Sequence, residues 1–196
     1  MIDTVVMTYL FKKFPHANSG QLSSLRARAV CGPALAFIAV RVLRLHNFLL
    51  ADHAGLTAAI DKYIPILEAI SSRDIVLQSW AHDPPKAISD VLESVVAAVF
   101  IDSGYNFDKT ACIVEAVMQC ILEVLSLDLP PEPVSAFYLW AAKSGCKRIH
   151  LRCAPFSLPI FMLLNKTYPG NRAVVPNTEE TTLFTLSYMT LLSLDP

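Results

Sequence analysis

The stretch 83–104, Asp-Pro-Pro-Lys-Ala-Ile-Ser-Asp-Val-Leu-Glu-Ser-Val-Val-Ala-Ala-Val-Phe-Ile-Asp-Ser-Gly, constrains the fold more than any other part of the sequence. Asp83 suits an N-cap, Pro84 or Pro85 suits a first turn that needs no backbone N–H, and Gly104 suits a helix end. One helix of about five turns is predicted. At about 100° per residue, Val91, Leu92, Val95, Val96 and Val99 fall within roughly 80° of Ile88 and make one wide apolar face. Lys86, Asp90, Glu93 and Ala97 share the opposite side.

Asp90 and Glu93 stand at i and i+3, which brings their Cβ atoms to about 5–6 Å. Two carboxylates at that spacing can share a hard cation such as Mg²⁺, which takes oxygen ligands. Lys86 lies one turn earlier, where an ammonium meets a phosphate or a developing negative charge. The same pattern also describes an ordinary solvated face with Lys86 and Asp90 as an i,i+4 pair, and spacing by itself leaves both readings open.

At 54% hydrophobic and 17% charged residues, the chain is apolar for its 196 residues, which predicts extra surface buried against something and argues against disorder. That length suits one domain with a small second one. The formal net charge of −1 conceals a segregation. Residues 1–50 hold six Lys/Arg against one acid, 51–132 four against thirteen, 133–172 six against none, and 173–196 none against three. Basic flanks around an acidic middle suit a cation-binding centre between nucleic-acid-facing surfaces, and equally suit a purely structural distribution.

Cys31, Cys112, Cys120, Cys146 and Cys153 form no C-x-x-C pair, so neither a zinc site nor a disulfide framework is indicated, and they read as buried thiols in a reducing compartment. Lys12-Lys13 follows the first apolar run instead of preceding it, the wrong order for a signal peptide, and no run reaches the roughly 20 residues of a membrane span. The reading is a cytoplasmic or nuclear protein with no membrane partner.

Around the central stretch the pattern is helical. A first helix over 4–14 carries Val5, Val6, Tyr9, Leu10 and Phe14 on one side, and 15–20 makes a turn. A second, capped by Ser19 or Ser23, carries Leu22, Leu25, Ala29 and Val30, with Arg26 and Arg28 projecting as surface charges or phosphate contacts. The run 34–45 is an apolar helix with Arg41 and Arg44 on its outer face. Two helices follow within 55–82, one with Leu56, Ile60, Tyr63, Ile64 and Leu67, the other with Ile75, Leu77 and Trp80. His82 reads as a packing or capping residue, with a site role as the alternative. A helix over 109–126 has Ile113, Val117, Ile121 and Leu125 as its core stripe, and Pro130-Pro131-Glu132-Pro133 is a linker.

Pro85-Lys86-Ala87-x-x-Asp90-x-x-Glu93-Ser94-x-x-x-Ala98-x-x-x-Asp102-Ser103-Gly104 resembles the second catalytic signature of the ribonuclease III family in its Dicer form. The resemblance implies that Asp90 and Glu93 are catalytic and bind Mg²⁺, with Mn²⁺ as a substitute, and that Lys86 lies beside them in the site. Ser89 and Ala97 stand where the family usually has glycine; both are small. Tyr9-Leu10-Phe11-Lys12-Lys13-Phe14-Pro15, Ser19-Gly20-Gln21-Leu22-Ser23, Leu25-Arg26, Leu35-Ala36 and Leu45-His46-x-x-Leu49 are similar to the family after its first signature, closest to the second such domain of fungal Dicer-like proteins. Cys31-Gly32 departs, where asparagine is common.

The family's first signature, a Leu-Glu-x-Leu-Gly-Asp stretch with the other two acidic ligands, is expected just upstream of Ile2-Asp3-Thr4, and Asp3 falls after it and is not an expected ligand. On this reading the chain is a truncated domain and a poor nuclease by itself. The resemblance implies an all-α ribonuclease III domain over 1–129, a double-stranded RNA substrate, and pairing with a second ribonuclease III domain. Pro133-Val134-Ser135, Ala141-Ala142-Lys143 and a strand at Arg148-Ile149-His150-Leu151 resemble the opening of a double-stranded-RNA-binding domain. Residues 130–196 thus read as a linker and a short degenerate α+β or irregular tail, with nothing recognisable in 153–196. Two other readings stay open: a non-catalytic helical module that binds double-stranded RNA or pairs with a relative, and an unrelated helical enzyme using the Asp-x-x-Glu face on a phosphorylated substrate. The last needs further acidic motifs on a second helix, and none is found.

Overall fold

The computed structural model describes residues 1–50 and 53–143, and the backbone alone of 148–152, 161–165 and 183–185. Two compact units divide between Glu132 and Pro133. The first is helical: α1 (Ile2–Lys13), α2 (Ser19–Val30), α3 (Gly32–Phe37), α4 (Ala54–Ala69), α5 (Ser72–Gln78), α6 (Lys86–Asp102) and α7 (Phe107–Leu122).

The centre of this unit follows from one run of small and apolar residues. Ala34, Leu35, Ala36, Phe37, Ile38, Ala39 and Val40 are all buried. A helical segment apolar on every side must be enclosed, and α2, α4, α5 and α6 pack around α3 and the turn that follows it. α1 lies against α2 and α7, and α7 reaches α5 and α6. One apolar core runs through all seven, from Val6 and Leu10 through Leu25, Phe37, Leu67 and Ile75 to Leu92, Met118 and Leu122.

The sequence predicts a single helix over 34–45, and the structure differs in its second half. α3 passes into a wider π-helical turn at Ile38–Val42, closed by the Leu43 N–H on the Ile38 carbonyl at 3.1 Å. The extra residue in the turn keeps Val40 buried and brings Arg41 out to solvent. Arg44, with φ +53°, then breaks the helix.

Three smaller expectations are corrected. Asn18, not Ser19 or Ser23, caps α2: its Oδ1 accepts from the Gln21 N–H and the Gln21 side chain accepts from the Asn18 N–H, each at 2.9 Å. Of the predicted stripe after Asn106, Ile121 and Leu125 are buried, but Val117 is half-buried and Ile113 47% exposed, and Val114, Met118 and Leu122 complete the core instead; neighbouring positions are apolar too, so the wheel alone cannot choose the face. Cys31 and Cys120 are half-buried and Cys112 is exposed; Cys146 and Cys153 lie outside the described residues.

Two basic residues act as ties between elements. Arg28 is 2% exposed, neither a surface charge nor a phosphate contact, and its guanidinium donates to the Val76 carbonyl at 3.3 Å and to the Pro130 carbonyl. Lys13 Nζ donates to the Leu122, Glu123 and Leu125 carbonyls at 2.8, 3.2 and 3.0 Å, satisfying the open end of α7. Burial lowers the Lys13 pKa, and the charge of Glu123 opposes that.

The second unit starts with α8 (Pro133–Lys143), followed by β1 (Arg148–Arg152), β2 (Phe161–Asn165) and β3 (Leu183–Thr185) in an antiparallel sheet of order β1-β2-β3. Arg148 pairs with Asn165 and Phe161 with Thr185. β1 falls on the predicted strand; β2 and β3 fall where no element is predicted, and the rest of 153–196 lies outside the described residues. Among the described residues no helix is long and apolar enough to cross a membrane.

Arg28→Met removes a charged donor from two carbonyls, and urea unfolding should show it less stable by about 1–3 kcal/mol, with an unchanged helical spectrum.

Candidate active site

The candidate residues are carried by α6, and the ends of this helix explain their placement. Pro85, not Asp83, occupies the capping position, because a residue followed by proline is steered away from helical backbone and the helix starts only after both prolines. At the far end the Gly104 N–H bonds the Ile101 carbonyl at 3.0 Å and the Tyr105 N–H bonds the Phe100 carbonyl at 2.9 Å. Gly104 has φ +71°, and the Phe100 and Tyr105 rings meet edge to face at 5.6 Å, completing a Schellman cap.

The predicted apolar face is present, in two parts. Ile88 and Leu92 are buried, whereas Val95, Val96 and Val99 are half-buried. The last three line an apolar cavity of about 230 Å³ with Leu43, Ile113 and Val117. Ser89, where a side chain must be small, is buried and donates to the Lys86 carbonyl at 2.8 Å.

On the other side lie the three predicted site residues. Lys86 Nζ donates to both carboxylate oxygens of Asp90, at 2.6 and 2.7 Å. The side chains are 84% and 45% exposed, so this ion pair is of the weak solvated kind. The hydrogen bond to Asp90, then its charge, raises the Lys86 pKa above the ordinary 10.5. Glu93 is exposed one turn on.

The fold also brings to Glu93 a group that spacing could not reveal. A cavity of about 630 Å³ is lined by Glu93 and Ala97 together with Asp3 and Thr4 at the start of α1. Asp3 accepts from Arg26 Nη1 at 2.9 Å, so Arg26 serves an ion pair at this edge. His82 lines a separate shallow hollow with Pro65, Ile66 and Ile70.

Asp90 and Glu93 offer hard oxygen donors, and both Asp90 oxygens are engaged by the Lys86 ammonium. Among the described residues no three of His, Cys, Asp and Glu gather into a cage. Mg²⁺ commonly binds through one or two carboxylates, its own waters and substrate phosphates, so an exposed carboxylate pair fits it.

Residues 1–104, which include all of α6, match the family model of the ribonuclease III domain. This chain belongs to the ribonuclease III family. It is 27% identical to Protein Dicer of Schizosaccharomyces pombe over 78% of the chain and 11% of that protein. It is 30% identical to Endoribonuclease Dicer homolog 4 of Oryza sativa subsp. japonica over 67% of the chain and 8% of that protein. Dicer-like protein 1 of Aspergillus niger is 33% identical over 55% of the chain and 7% of its own length. The chain thus spans about a tenth of the length of these relatives. The ribonuclease III match ends on Gly104, the residue that closes α6.

Because Asp90 raises the folded value of Lys86, the contribution of the pair is complete below pH 10.5 and is lost as pH rises through the higher value. In an NMR titration of the lysine side chains, Lys86 should deprotonate after Lys13, and Asp90→Asn should bring Lys86 back toward the ordinary range.

Proposed function

We propose that this chain forms the ribonuclease III part of a Dicer-like endoribonuclease that hydrolyses phosphodiester bonds of double-stranded RNA. The observation that carries the reading is the joint placement of Lys86, Asp90 and Glu93 on the solvent side of one helix that lies wholly within the family match. Relatives whose names contain Dicer add support.

In this reading Asp90 and Glu93 hold Mg²⁺, or Mn²⁺ in its place. When bound, the cation supplies Lewis-acid polarisation of the phosphate and an activated water. With Asp90 engaged by a cation, the Lys86 ammonium, now held by that carboxylate, would be available to the non-bridging oxygens of the RNA phosphate. The duplex is recognised through its backbone and 2′-hydroxyls, since its deep major groove is poorly readable.

Pairing with a second ribonuclease III domain accounts for the incompletely covered apolar surface of α6 and α7, where Val95, Val96, Val99, Ile113 and Val117 remain accessible. In the second unit, a helix followed by three antiparallel strands supports reading it as a segment similar to a double-stranded-RNA-binding domain. The carboxylate pair, which no third His, Cys, Asp or Glu among the described residues joins in a group able to hold a metal, favours a second reading, a module that binds or pairs without cutting.

The test is cleavage of a long double-stranded RNA with Mg²⁺ by the chain and by Asp90→Ala/Glu93→Ala. The double variant should cut more than about a hundredfold slower, since losing even outer ligands of a metal site costs up to that much. Equal cleavage by both would remove the assignment of Asp90 and Glu93. Salt-dependent RNA binding without cleavage by either would establish the second reading.

A further inference from the structure

The six basic residues of 1–50 do not all share one fate. Lys13 is engaged by the end of α7, Arg26 by Asp3 and Arg28 by the Val76 and Pro130 carbonyls, while the Arg41 guanidinium donates to the carbonyl of Glu68 near the end of α4. The guanidinium of Arg44 makes no hydrogen bond or ion pair with any described residue, and the residue is exposed. It lines an open polar cavity of about 400 Å³ with Val40, Arg41 and Glu68.

The backbone of Arg44 is the second observation. Its φ of +53° and ψ of +34° are left-handed, a region that penalises a Cβ and that glycine enters freely. The end of the π-helical turn calls for glycine there, and the chain instead presents a long cation that no described residue engages. Strained positions of this kind are kept where the side chain is used.

We propose that Arg44, with Arg41 beside it, seats one phosphodiester group of the RNA backbone. The planar fork of a guanidinium matches two phosphate oxygens. Glu68 at the rim reduces the net charge of the site to about one positive unit, which suits a singly charged diester better than a dianionic free phosphate. No residue of α6 lines this cavity, so the seat is distinct from Lys86, Asp90 and Glu93. It is a separate contact that holds RNA and takes no part in the cleavage. The proposal rests on double-stranded RNA being the ligand of the chain.

The decisive variant is Arg44→Gly, because glycine relieves the backbone while removing the charge. Its melting temperature should equal or exceed that of the parent chain. Binding of a fluorescent RNA duplex, followed by anisotropy without divalent cations and across a salt series, should weaken about three- to tenfold near 0.1 M salt. The slope of log affinity against log salt should fall by about one. Lys12→Gln, which removes another exposed charge from the same segment, should change affinity by less than about twofold.

A stably folded Arg44→Gly chain with unchanged affinity and slope overturns the proposal. So does an equal loss in Lys12→Gln, which would mean general charge and no seat. Inorganic phosphate binding that Arg44→Gly abolishes while RNA affinity stays unchanged overturns the diester assignment. If the parent chain binds no RNA at all, the functional reading fails and takes the proposal with it; normal parent binding that is indifferent to position 44 fails the proposal alone.

Discussion

A helix with no outward face needs a neighbour on every side, and the run 34–40 is such a helix. Burying a large apolar side chain is worth about 1.5–3 kcal/mol, and Leu35, Phe37, Ile38 and Val40 all collect it here. The alanines at 34, 36 and 39 contribute less area and more proximity, since a methyl group lets the surrounding helices approach closely. α6 is one of those neighbours, so the carboxylate-bearing helix is positioned by a segment that has no chemistry of its own.

The division of labour among the basic residues follows the same economy of contacts. Arg28 and Lys13 fasten helix ends and a loop to the body by donating to backbone carbonyls. Arg26 answers the single acid of the first fifty residues. The segregation of charge along the sequence therefore overstates how much positive surface faces solvent, and the two exposed cations of this segment that no described residue engages, Lys12 and Arg44, stand on different elements.

Much of α6 could be read in advance because its signals agree: two prolines before it, a glycine after it, and valines at a clear helical period. The shared face of Lys86, Asp90 and Glu93 follows from the same arithmetic. What escaped the reading has a common origin. Arg28 reads as a surface residue because its acceptors, at Val76 and Pro130, are far away in the chain, and no local pattern announces them. Asp3 meets the cavity of Glu93 only through the packing of α1. The π-helical turn adds one residue where the period of 3.6 offers no warning, and α7 has apolar residues on two adjacent stripes, so the core could lie on either.

The uneven covering of α6 separates two mechanical regimes along one rod. Its first half is pinned by Ile88, Ser89 and Leu92 beneath the polar face, and its second half rests on a partly open apolar surface that ends in a locked cap. Local opening draws on regions with few buried contacts, so fluctuation concentrates beyond Val95. Asp90 and Glu93 ride on the stiff part, and the compliant part is free to adjust its fit to another surface without disturbing their spacing.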